Sequence, residues 1–206
     1  LPIVMAAKNG SAPMVELLLN AGTDPAYADL NGTTTLMYAA ASGNPETVTL
    51  LVERGATVNA RDTTNQQTAI MFAAAMGRSE AIRILAAASA DLNAASRVTE
   101  VIKSQDRFLS DDGQILLKEN HKKIPMGGMT ALHFAARQGH LEAVRALVES
   151  GANIDQVSMA SRTSVLTSAI INGHLDIGDL LLDAGANPNQ PDADGQSPLY
   201  AVIDAK

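Results

Sequence analysis

The chain reads as an all-α protein, a repeat solenoid of paired helices with one inserted segment. Three observations predict it. A glycine recurs at Gly10, Gly43, Gly77, Gly139 and Gly173, at spacings of 33, 34, 62 and 34 residues, and self-similarity at a fixed period marks a repeat array. A second landmark follows each by 12 residues, at Gly22, Gly55, Ser89, Gly151 and Gly185. Between the landmarks, apolar residues return at helical spacing.

Each unit opens with a Thr or Ser where a helix N-cap oxygen is wanted. The instances are Thr34-Thr35-Leu36-Met37, Thr68-Ala69-Ile70-Met71, Thr130-Ala131-Leu132-His133, Ser164-Val165-Leu166-Thr167 and Ser197-Pro198-Leu199-Tyr200, with a degenerate Leu1-Pro2-Ile3-Val4 ahead of them. Paired alanines follow, at Ala6-Ala7, Ala39-Ala40, Ala73-Ala74 and Ala135-Ala136. They favour helix and let neighbouring helices approach closely. The first landmark glycine ends this helix in the left-handed region. A second helix then carries its core at Val15, Leu18 and Leu19, at Val48, Leu51 and Val52, at Ile82 and Leu85, and at Val144, Leu147 and Val148. The second landmark ends it. In the fifth unit Gly178 stands where Val15, Val48, Ile82 and Val144 stand in the others, which weakens that helix by roughly 0.5–1 kcal/mol of backbone entropy.

With these motifs on the page the sequence resembles the ankyrin-repeat family, whose unit is a β-turn plus two antiparallel helices. The stretch from Thr130-Ala131-Leu132-His133-Phe134-Ala135-Ala136 to Gly151-Ala152-Asn153-Ile154-Asp155 matches the family pattern almost throughout. Four full repeats and two partial ones result, all in one domain spanning 1–206. The first copy lacks its finger and the last stops at Lys206 inside its first helix, so further helix is expected beyond it. The resemblance implies that His133 ties adjacent turns together. It also gives structural roles to His140 and His174, each of which follows a landmark glycine.

Residues 94–127 break the period between the third and fourth repeats. Val98-Thr99-Glu100-Val101-Ile102-Lys103 is read as a short helix. Phe108 to Leu117 is read as strand, Asp-Gly turn, strand. His121-Lys122-Lys123 is read as a basic tip. A long insertion in a compact repeat is either functional or a tolerated surface loop.

The search for chemistry finds little. The net charge of -7 argues against general nucleic-acid affinity, which needs a basic stripe. No apolar run approaches the roughly 20 residues of a membrane span. With no cysteine in the chain, disulfides, thiolate catalysis and Cys-bearing zinc sites are excluded. Its absence suits an oxidising compartment without demonstrating one. Asp192-Ala193-Asp194-Gly195 resembles a calcium loop, but Ala201 stands where the bidentate Glu belongs, so it is read as a finger turn. The glycosylation sequons at Asn9 and Asn31 fall in repeat turns. No hydrolase, phosphate-loop or zinc-protease motif occurs. No catalytic residue, metal or cofactor is expected.

The functional signal lies in the aromatics. Tyr38, Phe72 and Phe134 share one repeat position, four residues after the N-cap, in a chain only 3% aromatic. In the ankyrin architecture that position faces the concave side beneath the fingers. Exposed rings there would form a binding stripe; the alternative is that each ring packs against its own finger. Met5 occupies the same register, and Met76, Met126, Met129 and Gln138 are grouped with the stripe as adaptable neighbours. Phe108, Ile115, Leu116, His121, Lys122 and Lys123 form the rim on the insertion, which overhangs the groove as a binding element or covers it as a lid. The expected function is recognition of a protein or peptide on the concave face and fingers, with no nucleic acid. Two further readings stay open: a structural or regulatory module of a larger multidomain protein, and, with no motif behind it, an enzyme. The composition and the insertion look similar to bacterial ankyrin proteins, some of them exported, which fixes no compartment. Partner identity and oligomeric state are not legible.

Overall fold

A computed structural model describes residues 1–104, 107–109, 115–117 and 121–198, and within 102–122 only the backbone strands. The helices come in pairs: α1 (Pro2–Lys8) and α2 (Ala12–Asn20), α3 (Thr35–Ser42) and α4 (Pro45–Glu53), α5 (Ala69–Ala75) and α6 (Ser79–Ala87). After the inserted strands β1 (Val98–Ser104), β2 (Arg107–Leu109), β3 (Ile115–Leu117) and β4 (His121–Gly127) come α7 (Ala131–Gln138) with α8 (Leu141–Glu149) and α9 (Val165–Ile171) with α10 (Leu175–Asp183). Odd-numbered helices stack on one another in one row, even-numbered helices in a second.

The core is one repeated layer. Leu36, Ile70 and Leu132 of the first row, and Leu51, Leu85, Leu147 and Leu181 of the second, are fully buried. Each contributes about 1.5–3 kcal/mol of apolar burial. The alanine pairs sit between stacked helices with almost no exposed surface. In the fifth repeat, Ile177 is fully buried where Thr47, Ala81 and Ala143 stand in repeats two to four. The bulk missing at Gly178 is therefore supplied one residue earlier, and a Cβ on Gly178 would meet Ile170 and Leu166 at an ordinary 3.9 Å. The loss anticipated at Gly178 is thus confined to backbone entropy.

Caps follow the Thr/Ser pattern with one exception. Thr34, Thr130 and Ser164 accept from the backbone N–H three residues on. Thr68 does not: its buried hydroxyl has no partner among the described residues. Gly139 shows why the landmark is glycine. Its φ is 79°, and an added Cβ would fall 2.6 Å from Cε1 of His174. That imidazole lies across it, 3.2 Å from the Arg137 carbonyl. His140 reaches the Ala75 carbonyl in the same way, at 3.2 Å. The structural roles expected of both histidines are what the geometry shows.

Fingers are closed by one side chain each. Asp29 Oδ1 accepts from the Asn31 and Thr33 N–H groups, Asp62 Oδ1 from Asn65 and Gln67, and Asp192 Oδ1 from Asp194 and Gln196. The Asp192 carboxylate is thereby used by its own turn, as a finger requires; Ala201 lies outside the described residues. Adjacent fingers are laced edge to edge: Thr63 N–H donates to Asn31 O at 2.9 Å, Met159 N–H to Gly128 O at 3.0 Å, and Ala193 N–H to Ser161 O at 3.0 Å.

The inserted chain grows from a finger. Ser96 N–H donates to Met129 O at 2.9 Å, and Ser96 Oγ accepts from Met129 N–H at 3.0 Å. This is the register that Asp29 and Thr33 hold in repeat two. Beyond it β1 pairs antiparallel with β4, from Val98 opposite Gly127 to Ser104 opposite His121. Two expectations are corrected here. Residues 98–103 form a strand and not a helix, because their β-branched Val, Thr and Ile suit a pleated pair and the finger's own ladder sets the register. His121, Lys122 and Lys123 are not a tip but part of β4, opposite Ser104, Lys103 and Ile102. Farther out, Phe108 pairs with Leu116 and Leu109 with Ile115. The Asp111-Asp112-Gly113 turn and the side chains of Phe108, Ile115, Leu116, His121 and Lys122 lie outside the described residues.

Candidate recognition groove

The three rings occupy their shared register on the first-helix row, each half-buried and packed against the core. Tyr38 is the most restrained. Its hydroxyl donates to Asp29 Oδ2 at 2.6 Å, and Lys8 Nζ lies 4.2 Å from the ring centroid. The hydroxyl holds the Asp29 carboxyl below the usual carboxylate range, with the Thr33 and Asn31 N–H groups assisting and burial opposing. The same bond raises the phenol, with burial adding to it. Tyr38 thus packs on its own finger and still presents part of its ring. Met5, Met76 and Met126 are about half exposed or more, at 59%, 53% and 49%. Gln138 is exposed. Lys123 is exposed and ion-paired with Glu100 at 2.9 Å.

A groove of about 530 Å³ opens farther along the array, between the fourth and fifth repeats. One wall is the base of the inserted hairpin: Val101, Ile124, Pro125 and Met126. The opposite wall is the fifth finger, with Ser158, Ala160, Ser161 and Thr163. The floor is Arg137 of α7 with Ser168 and Ile171 of α9 and Asn172 at that helix's C-terminal end. Its volume is in the range of ligand-sized clefts. Of the residues expected to bind a partner, Met126 and Met129 line it, while Tyr38, Phe72 and Phe134 lie outside its lining.

In the fifth repeat the groove is lined at this register by a small, buried side chain. Ser168 stands one unit on from Phe134 and fills the aromatic slot with a hydroxymethyl group. The sequence carried this signal, as the break in an aromatic register. His133 braces the floor. Burial holds its imidazole below the ordinary histidine range and so favours the neutral ring. Nε2–H donates to the Thr163 carbonyl at 3.0 Å, and Nδ1 faces the Thr130 hydroxyl at 2.8 Å. The expected tie between adjacent turns is this bond, running from the fourth repeat to the fifth finger.

On the opposite row a second groove, of about 440 Å³, is lined by Glu149, Asp176, Asp179 and Asp183 beside Arg145. Among the described residues, no group of three or more His, Asp or Glu side chains is placed to hold a metal ion. None of the described helices is long and apolar enough to cross a membrane.

Comparison with known proteins agrees with the architecture. A family model described as ankyrin repeats matches in 3 copies, over residues 3–96 and 108–192. The B-cell lymphoma 3 protein homolog of Mus musculus is 44% identical over 75 residues, which is 36% of this chain and 17% of that protein. The E3 ubiquitin-protein ligase XBAT32 of Arabidopsis thaliana is 29% identical over 164 residues, 80% of this chain and 32% of that protein. The chain therefore spans about a third or less of these relatives. The crystal structure of the ankyrin repeat domain of Bcl-3, described as a unique member of the IkappaB protein family, superposes with a TM-score of 0.74 at 29% identity. It covers 98% of this chain and 78% of that one. The ankyrin fold is typically a non-enzymatic scaffold, also where relatives such as the ligase join it to other activities.

Proposed function

Since the chain belongs to the ankyrin-repeat family, whose repeats generally mediate protein–protein interaction, we propose that it is a binding scaffold and not a catalyst. It recognises a protein partner across the first-helix row and the fingers. The observation that carries this reading is the groove of about 530 Å³ walled by the inserted hairpin, continued along the row by half-buried rings at Tyr38, Phe72 and Phe134. A prebuilt array loses little ordering entropy on binding. In this reading the insertion is a wall of the site and not a lid.

The test is affinity and melting together, on a partner recovered by crosslinking. Phe72→Ala weakens binding by about 2 kcal/mol or more if the ring is a contact. A ring that only packs would instead cost about 3–5 kcal/mol of stability, and an unchanged affinity in the folded variant would remove the stripe from the site. Replacing 97–128 by the short turn Leu30-Asn31-Gly32 of repeat two weakens binding; stronger binding would make the insertion a lid. A second reading, a structural or regulatory module within a larger protein, is favoured by the small share of each relative that the chain spans. It predicts no partner for the isolated array.

A further inference from the structure

The groove has a chemistry of its own. Among the described residues, Arg137 is the one fully charged side chain lining it, beside the apolar Val101, Ile124, Met126 and Ile171. Its guanidinium makes no ion pair among the described residues; its described side-chain neighbour is the Met129 sulfur, 3.9 Å away. This cation stands in a chain of net charge -7, and the groove on the opposite row carries the carboxylates of Glu149, Asp176, Asp179 and Asp183. Like charge there repels an acidic ligand, while Arg137 offers a planar donor fork matched to a carboxylate. Beside it the groove is lined by Ser168, a small and buried side chain in the register that Tyr38, Phe72 and Phe134 occupy with rings in three other repeats. The walls, a β-strand and a finger, run along either side.

From this we infer that the groove binds an extended peptide segment that places a Phe or Tyr ring over Ser168 and an Asp or Glu carboxylate on Arg137. The inference rests on the reading of the array as a protein-binding scaffold, and supplies the ring and the charge that the partner must carry. Ile171, 58% exposed, and Met126, 49% exposed, are the apolar surfaces that the ring's neighbours cover.

The experiment is a selection of random dodecapeptides displayed on phage against the full chain, followed by fluorescence titration of the synthetic peptides. The expected result is enrichment of sequences with an aromatic residue within a few positions of Asp or Glu. Affinity falls about tenfold or more, the range of a single strong contact, in Arg137→Gln and when the peptide's Glu becomes Gln. Ser168→Phe fills the slot from within and also abolishes binding, with its melting curve read alongside. Arg137 is exposed, so Arg137→Gln tests the charge without disturbing the core. If neither variant weakens the selected peptides, or if no peptide is enriched, the inference is overturned. Peptides that instead respond to Phe72→Ala overturn it while leaving the scaffold reading intact.

Discussion

In repeat two the slot beneath the finger holds the Tyr38 ring, the finger is closed by Asp29, its left-handed turn residue is Gly32, and the second helix packs through Val48. In repeat five the same four positions hold Ser168, Ser158, Arg162 and Gly178. The backbone plan is unchanged: Ser158 Oγ still accepts from Thr163 N–H at 3.2 Å, and Arg162 still adopts a φ of 54°. Each position meets a local demand, so one can be emptied without the others failing. The difference teaches where function and fragility share a cause. The groove lined by Ser168 belongs to the repeat with the weaker turn and the weaker helix.

The largest test of this contrast is His133→Ala. Finger five is held to the fourth repeat by the His133 Nε2–H bond to Thr163 O, whereas Met37, the equivalent residue in repeat two, offers its sulfur only to Thr34 N–H. Removing the buried imidazole leaves a cavity and an orphaned carbonyl, and lowers stability by about 3 kcal/mol. It also changes the pH response. Because burial depresses the folded pKa below 6.5, the unfolded chain takes up the proton first. This stabilisation is therefore complete above about pH 6.5 and declines as pH falls below it, by at most about 1.4 kcal/mol per pH unit. Urea unfolding at pH 7.5 and pH 5.5 should show a smaller pH-dependent loss in the variant than in the parent. Equal losses would mean that His133 is not the titrating group.

Next in size is the turn residue. Arg162 sits at a positive φ with a side chain, where repeat two uses Gly32. Arg162→Gly should raise stability by about 1 kcal/mol. Gly32→Ala should lower it, since its Cβ would lie 2.9 Å from the Thr63 backbone nitrogen. A melting-temperature change of the same sign in both variants would show that the two fingers are not equivalent.

How much of this was legible in the residues follows from what kind of signal each feature leaves. The helices, their order and the family came from landmarks such as Gly43 and Gly139, because a left-handed terminus under the next repeat's side chain tolerates little else. The inserted strand at Val98–Ser104 was misread as helix, because seven residues carry too short a pattern to set a period and the deciding force is the Ser96–Met129 ladder at its base. The tie made by His133 followed from the family resemblance. The position of the groove, between the fourth and fifth repeats, was not foreseen, because reading for binding residues means looking for rings, and the aromatic register breaks there at Ser168. Arg137 gave no local cue either, since standing without an ion pair among the described residues is a property of the fold.

The smallest effect is at Gly178, and it discriminates most finely. Ile177 fills the layer one residue early, yet a Cβ at 178 meets nothing closer than 3.9 Å. If packing is complete and only backbone entropy is lacking, Gly178→Ala stabilises by about 0.5–1 kcal/mol. Hydrogen exchange reads this locally. In the parent chain the amides of α9 and α10 should exchange before those of α3 to α6, because stability along a solenoid varies with the unit and its neighbours. The substitution should slow α10 and leave α4 unchanged. Uniform protection along the parent array would remove the contrast between repeats two and five. A destabilised Gly178→Ala would show instead that Ile177 had already used the space, so that in this repeat the glycine is part of the packing.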